Sequence, residues 1–130
     1  MPHLPKMRRR HVLGLGAAAS MAVLPALARA ESNTPLKIMV GFAAGGSADQ
    51  TARLLASALQ TALGRPVIVE NRTGAGGRIM VAAAKDAKPD GHTLMLVPHG
   101  PMTLFAHIYR KLGYDPVRDF TPIGRVCNFD

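Results

Sequence analysis

Leu36-Lys37-Ile38-Met39-Val40-Gly41-Phe42-Ala43-Ala44-Gly45-Gly46-Ser47-Ala48-Asp49-Gln50 is the stretch that decides the fold. Its first seven residues form a nearly continuous apolar run of strand length, the pattern of a strand covered on both faces. Small residues then break the run, and Ser47-Ala48-Asp49-Gln50 has the spacing of a capping box, in which the Ser47 hydroxyl and the Gln50 side chain each answer an orphan amide. The spacing therefore predicts a helix from Ala48 onward. Ala52, Leu55, Ala58, Leu59, Ala62 and Leu63 recur at three- and four-residue intervals along one apolar stripe, and Gly64 followed by Pro66 stops it.

The same cycle repeats downstream. Residues 66–71 read as a β-branched strand, residues 73–77 (Thr-Gly-Ala-Gly-Gly) as a flexible loop, and residues 78–88 as a second helix closed by the turn Pro89-Asp90-Gly91. A third strand over residues 92–97 leads into Pro98-His99-Gly100-Pro101 and a third helical pattern across residues 102–112, and residues 120–129 read as the start of a fourth strand. Strand and helix alternate with short connections. The economical arrangement is an α/β fold, a parallel sheet with flanking helices and right-handed crossovers.

Upstream, the chain has a different character. Lys6-Met7-Arg8-Arg9-Arg10 is a basic start, residues 12–24 are apolar, and Pro25-Ala26-Leu27-Ala28-Arg29-Ala30 ends in Ala-x-Ala. This is the three-part layout of a secretory signal with cleavage near Ala30. The apolar run would reach only about 20 Å as a helix, short of a bilayer's roughly 30 Å core, so it does not read as a permanent anchor. Arg9-Arg10-His11-Val12-Leu13 also resembles a twin-arginine signal, with Val12 and Gly14 departing from the usual pattern. General secretory and twin-arginine routes both stay open. Either places residues 31–130 outside the cytoplasm.

Charge and composition narrow the function. The formal net charge is +8 over 130 residues. Lys6, Arg8, Arg9, Arg10 and Arg29 all lie in the leader, and from Glu31 onward eleven basic residues face eight acidic ones. So small a surplus is no footprint for a phosphate backbone, and no nucleic-acid partner is expected. An apolar share of 48% against 18% charged supplies a core and argues against disorder. The single Cys127 excludes an intrachain disulfide and reads as a small buried apolar residue.

In a parallel sheet, ligands gather beyond the carboxyl ends of the strands. There the sequence offers Gly45-Gly46-Ser47, then Gly74-Ala75-Gly76-Gly77, then His99-Gly100. Glycines let backbone amides approach a ligand, and helix N-termini favour negative charge, so an anion site is the physical expectation. No Lys or Arg lies in the first loop, which leaves amide dipoles, hydroxyls and bridging waters to hold the charge. Gly41-x4-Gly46-Ser47 lacks the lysine of a phosphate loop, and Gly74-x-Gly76 runs on to Ile79 where a dinucleotide fingerprint wants Gly or Ala. No nucleotide cofactor is expected. Ser47 lies outside a Gly-x-Ser-x-Gly elbow and reads as a helix cap first and a ligand contact second. Asp49 reads either as a ligand-orienting carboxylate or as one favoured by the helix dipole. His92, His99 and His107 have no metal-ligand spacing, and of these only His99 sits at a loop end. Asn71-Arg72-Thr73 matches a glycosylation sequon. A small exported hydrolase using Ser47 or His99, and an interaction module without a ligand, remain as competing readings.

Four segments in order carry a resemblance: Phe42-Ala43-Ala44-Gly45-Gly46-Ser47-Ala48-Asp49; Val69-Glu70-Asn71-Arg72-Thr73-Gly74-Ala75-Gly76-Gly77; Lys88-Pro89-Asp90-Gly91-His92-Thr93-Leu94; and Tyr114-Asp115-Pro116-Val117-Arg118-Asp119-Phe120-Thr121-Pro122-Ile123. Together they resemble the Bug, or TctC-like, group of extracytoplasmic solute receptors. The resemblance implies a non-enzymatic periplasmic binding protein of type II fold. Two lobes would hold a small carboxylate without a cofactor or metal, and the receptor would serve the membrane components of a tripartite tricarboxylate transporter or a sensor. By the same resemblance Gly45, Gly46, Ser47 and Asp49 match the first ligand loop, Gly74, Ala75, Gly76 and Gly77 the second, and His99 and Gly100 the third. It also implies that residues 31–130 are the N-terminal part of the first lobe with the second absent, a truncated receptor with impaired binding.

Overall fold

The structure, a computed structural model, describes residues 34–128. The leader and its cleavage site lie outside them. A three-stranded sheet forms the centre, with strand order β2-β1-β3: β1 (Leu36–Val40), β2 (Val67–Asn71) and β3 (Thr93–Leu96). Both pairings of β1 are parallel. They set Ile38 opposite Val69 and Leu94, and Met39 opposite Glu70 and Met95.

The continuous apolar run of β1 is explained by its position, since successive side chains point to opposite faces and both faces are covered. On one face, Ile38 and Val40 pack with Ala52 and Ala56 of α1 (Ser47–Leu63). On the other, Met39 packs with Met80 and Val81 of α2 (Arg78–Lys85) and with Tyr114. The chain steps outward from β1 to β2 and back across to β3, so right-handed crossovers put the two helices on opposite faces. The alanines of α1 let that helix approach the sheet closely, and Gly64, in the left-handed conformation with its amide on the Gln60 carbonyl, ends it.

Beyond the sheet, residues 113–120 are strapped over α2. The Tyr114 hydroxyl donates to the Pro101 carbonyl at 2.7 Å, its ring meets Phe120 edge to face at 6.1 Å, and Lys85 pairs with Asp119 at 3.2 Å. Burial pushes the Tyr114 phenol up from its ordinary value. Replacing Tyr114 with Phe keeps the ring but leaves the Pro101 carbonyl without its donor. We expect a loss of about 1–2 kcal/mol, read as a shift of the urea midpoint at constant slope.

Four expectations are corrected. The second helix ends at Lys85 with Asp86 as its cap, ahead of Lys88, which the following Pro89 disfavours in helical geometry. The third helical pattern is two single turns, α3 (His99–Met102) and α4 (Phe105–Ile108), separated at Thr103, whose φ of −124° leaves the helical region. Residues 121–128 form no strand; they are exposed and make no backbone hydrogen bond to β2 or β3 among the described residues. Cys127 is exposed, not buried, because it lies on that unpaired segment.

Candidate functional site

Three loops leave the carboxyl ends of the parallel strands and meet. Gly41, the first residue after β1, lies so close to the second loop that a Cβ there would sit 2.8 Å from the Gly77 Cα. Gly77, at φ +90°, in turn faces the Phe42 ring and Pro101 of α3. Gly76 faces the Phe105 ring, and a Cβ at Gly100 would lie 4.0 Å from that ring. The second loop makes this approach through four successive residues with positive φ: Gly74, Ala75, Gly76 and Gly77.

The first loop is held by Asp49, which is 2% exposed. Its Oδ2 accepts the Gly45 amide at 2.8 Å and the Arg53 Nε at 2.9 Å, and its Oδ1 accepts the Asn71 side-chain amide at 3.0 Å. Asn71 also donates to the Phe42 carbonyl at 3.1 Å. One carboxylate thus ties together the β1 exit, the start of α1 and the end of β2. The Arg53 hydrogen bond is the largest cause that holds the Asp49 carboxyl well below the usual carboxylate range, and the Gly45 and Asn71 bonds act in the same direction.

This network replaces the expected capping box. Gly46 is the N-cap, α1 begins at Ser47, and no side chain forms a capping hydrogen bond. Gln50 reaches back with its side chain to the Gly45 carbonyl at 3.1 Å, while its own amide is bound to the Gly46 carbonyl at 2.9 Å. The amides of Ser47, Ala48 and Asp49, ahead of the first intrahelical bond, are left unpaired by the helix. Ser47 is exposed, and its hydroxyl is not spent on capping. The positive end of α1, with three amides and one hydroxyl uncommitted within the helix, thus lies where the first loop ends.

The other sequence-derived residues fall as follows. Gly45 and Gly46 are exposed in the first loop; Ala75 and Gly76 are exposed and Gly74 half-buried in the second, while Gly77 is buried against the first. His99 is exposed at the start of α3 and Gly100 half-buried beside it. His92 lies at the opposite end of the sheet, where its carbonyl accepts the Lys37 amide at 2.8 Å. Among the described residues, no group of three His, Cys, Asp or Glu is placed to hold a metal.

Two residues escaped the sequence reading. Asn71 is given no site role by the sequence, although a polar side chain ending a β-branched strand beside a glycine loop is a usable signal. Arg78 follows the second loop. Its Nε donates to the Ala75 carbonyl at 3.1 Å, and its guanidinium lies 3.9 Å from the centre of the Tyr109 ring.

A parallel α/β sheet whose three loops meet at the carboxyl ends of the strands is the architecture of part of a periplasmic-binding-protein lobe, and comparison with known proteins agrees. The sequence model for the tripartite tricarboxylate transporter family receptor (TctC) matches residues 51–129, and the chain belongs to that family. It is 42% identical over 107 residues to the UPF0065 protein in the TAR-I ttuE-ttuC' intergenic region of Agrobacterium vitis, covering 80% of this chain and 31% of that protein. Among solved structures it is similar to the periplasmic binding protein BugD, with a TM-score of 0.65 and 40% identity over 69% of this chain and 30% of that one. It is also similar to MatC of Rhodopseudomonas palustris with bound malate, with a TM-score of 0.64 and 39% identity over 68% and 30% of the two chains. The chain spans about a third of the length of the curated relatives it matches.

Proposed function

We propose that the chain forms part of an extracytoplasmic receptor that holds a small carboxylate on the amides at the start of α1. The meeting of the three loops at the carboxyl ends of the strands, together with the unpaired α1 amides at the end of the first loop and Asp49 buried beneath it, supports this reading. One carboxylate of the ligand accepts from the first-turn amides and the Ser47 hydroxyl. The second loop, Gly74, Ala75, Gly76 and Gly77, shapes the adjoining wall, with His99 and Gly100 at its rim. Asp49 acts here through Gly45, since its oxygens are engaged within the protein. Binding at this mouth needs no cofactor.

Export by the leader, with cleavage near Ala30, places the receptor in the periplasm, where BugD and its like are binding proteins. Its partners there are the membrane components of a tripartite tricarboxylate transporter or a sensor. Residues 31–130 correspond to the N-terminal part of the first lobe. They supply one wall of a cleft, and a single wall gives up roughly half of the contacts that bury a small ligand. Taken by itself, that one wall binds weakly, in the millimolar range.

Amide-resolved NMR titration with malate tests this reading. Saturable shifts at residues 45–48 and 74–77, with a millimolar dissociation constant, are the expected result. A folded chain with no saturable shifts would overturn the site, and micromolar affinity would overturn the one-wall account. Ser47→Ala weakens malate binding by about three- to tenfold, the net worth of one solvent-exposed hydrogen bond of ordinary strength. It leaves the melting temperature unchanged, because the hydroxyl caps nothing.

A further inference from the structure

Three arginines flank the first two loops in sequence, and their surroundings differ. Arg53 is paired with Asp49 at 2.9 Å, and Arg72 with Glu70. Arg78 has no carboxylate within ion-pair distance among the described residues, yet it is only half exposed and is held twice over. Its Nε–H is committed to Ala75, and the face of its guanidinium rests on Tyr109. Tyr109 is braced by Phe105, ring centre to ring centre at 5.2 Å, and Phe105 is the ring that faces Gly76. The cation is thus fixed to the second loop by elements that also build the mouth, while its terminal nitrogens keep donors to spare.

A guanidinium immobilised in this way loses little side-chain freedom when it meets a planar anion, and it matches a carboxylate in two-pronged geometry. Among the described residues no acid pairs with it. Resting on the carboxylate-cradle reading above, we propose that Arg78 is a specificity residue that receives the second carboxylate of a dicarboxylic acid whose first lies on the α1 amides, so that the receptor prefers dianions to monoanions. The cradle by itself recognises one carboxylate and does not count charges. Arg78 does, and Tyr109 positions it.

Malate and lactate are suitable probes, being 2-hydroxy acids that differ by one carboxylate. NMR titrations of the 130-residue chain are compared for the unsubstituted protein, Arg78→Gln and Arg78→Lys, with amide dispersion reporting whether each variant is folded. The expected result is that the unsubstituted chain binds malate about tenfold more tightly than lactate. Arg78→Gln removes that preference by weakening malate alone, lactate staying within twofold, and Arg78→Lys restores part of it. Equal weakening of both acids by Arg78→Gln, or no weakening of either, overturns the assignment while leaving the cradle intact. Absence of binding by either acid to the folded, unsubstituted chain overturns the cradle and the assignment with it.

Discussion

Replacing Gly41 with valine lowers the stability of the lobe by about 3 kcal/mol and abolishes saturable malate binding. The cost follows from what a side chain at residue 41 would meet. Its Cβ would stand 2.8 Å from the Gly77 Cα and 3.3 Å from the Gly77 carbonyl oxygen, with the Met80 Cβ at 3.4 Å. Two of these three atoms are backbone and cannot turn aside as a long side chain can. Neither segment is free to retreat. β1 is pinned on both edges by its parallel partners, and the Arg72 amide donates to the Val40 carbonyl at 2.8 Å. Gly77 leads directly into α2, whose Met80 and Val81 are wholly buried. Separating residues 41 and 77 therefore lifts the start of α2 from the sheet, and overpacking of this kind costs from 1 to 3 kcal/mol or more. The same movement parts the first two loops, so binding is lost along with stability. Gly45→Ala is the contrasting substitution. Nothing lies within 4 Å of its would-be Cβ, and only the left-handed φ of +84° penalises it, by about 1 kcal/mol. Urea unfolding of the two variants at constant slope should separate them clearly. A Gly41→Val chain as stable as Gly45→Ala would show that the loops do not touch.

The difference between those two glycines also marks what could be read from the sequence. Periodicity displayed the three strands and α1, because a strand covered on both faces and a helix covered on one leave unambiguous patterns along the chain. The glycine loops were visible too, since few residue types tolerate a positive φ. Which glycine is required by contact and which by conformation was not, because Gly41 and Gly77 meet only after a helix and a strand, α1 and β2, have folded between them. Ser47 illustrates the same limit. Its spacing to Gln50 fits a capping box, but a carboxylate two residues further on, backed by Asn71 from another strand, holds the loop instead. Local spacing proposes a partner, and a buried charge with three donors outcompetes an exposed hydroxyl. The helical pattern across residues 102–112 failed for a related reason. Its apolar residues serve two separate contacts, Met102 and Leu112 against the cluster of Met39, Met80, Val81 and Tyr114 and Phe105 against the second loop, which one straight helix does not satisfy. The specificity assigned to Arg78 was hidden likewise, because it depends on Tyr109, thirty-one positions away.

Removing the carboxylate of Asp49 should have the second large effect, and its dependence on pH gives it a distinctive signature. Asp49→Ala strips acceptors from the Gly45 amide, the Arg53 guanidinium and the Asn71 side-chain amide at once. Asn71 retains the Phe42 carbonyl, but among the described residues the Gly45 amide has no second acceptor. A melting temperature lower by about 5–10 °C is expected, from the usual cost of breaking a buried charged network in a domain of this size. Malate binding should weaken further than after Ser47→Ala, since the first loop loses its anchor. The pH dependence has a definite sign. The Asp49 carboxyl is held below its ordinary value in the folded chain, with Arg53 the first cause. Its contribution is therefore fully present above the unfolded carboxylate value near 4 and is lost as pH falls through the folded one. Glu70, held down by Lys37 and Arg72, and Asp119, held down chiefly by the Asp115 amide, act in the same direction. The unsubstituted chain should thus lose stability progressively as pH falls below about 4. In Asp49→Asn the shape is kept and the titrating group is gone, so the melting temperature is lower near neutrality but declines less steeply on acidification. Parallel melting curves for the two chains between neutrality and about pH 3 would reverse this account, because they would mean that the charge on Asp49 does not hold the first loop in place.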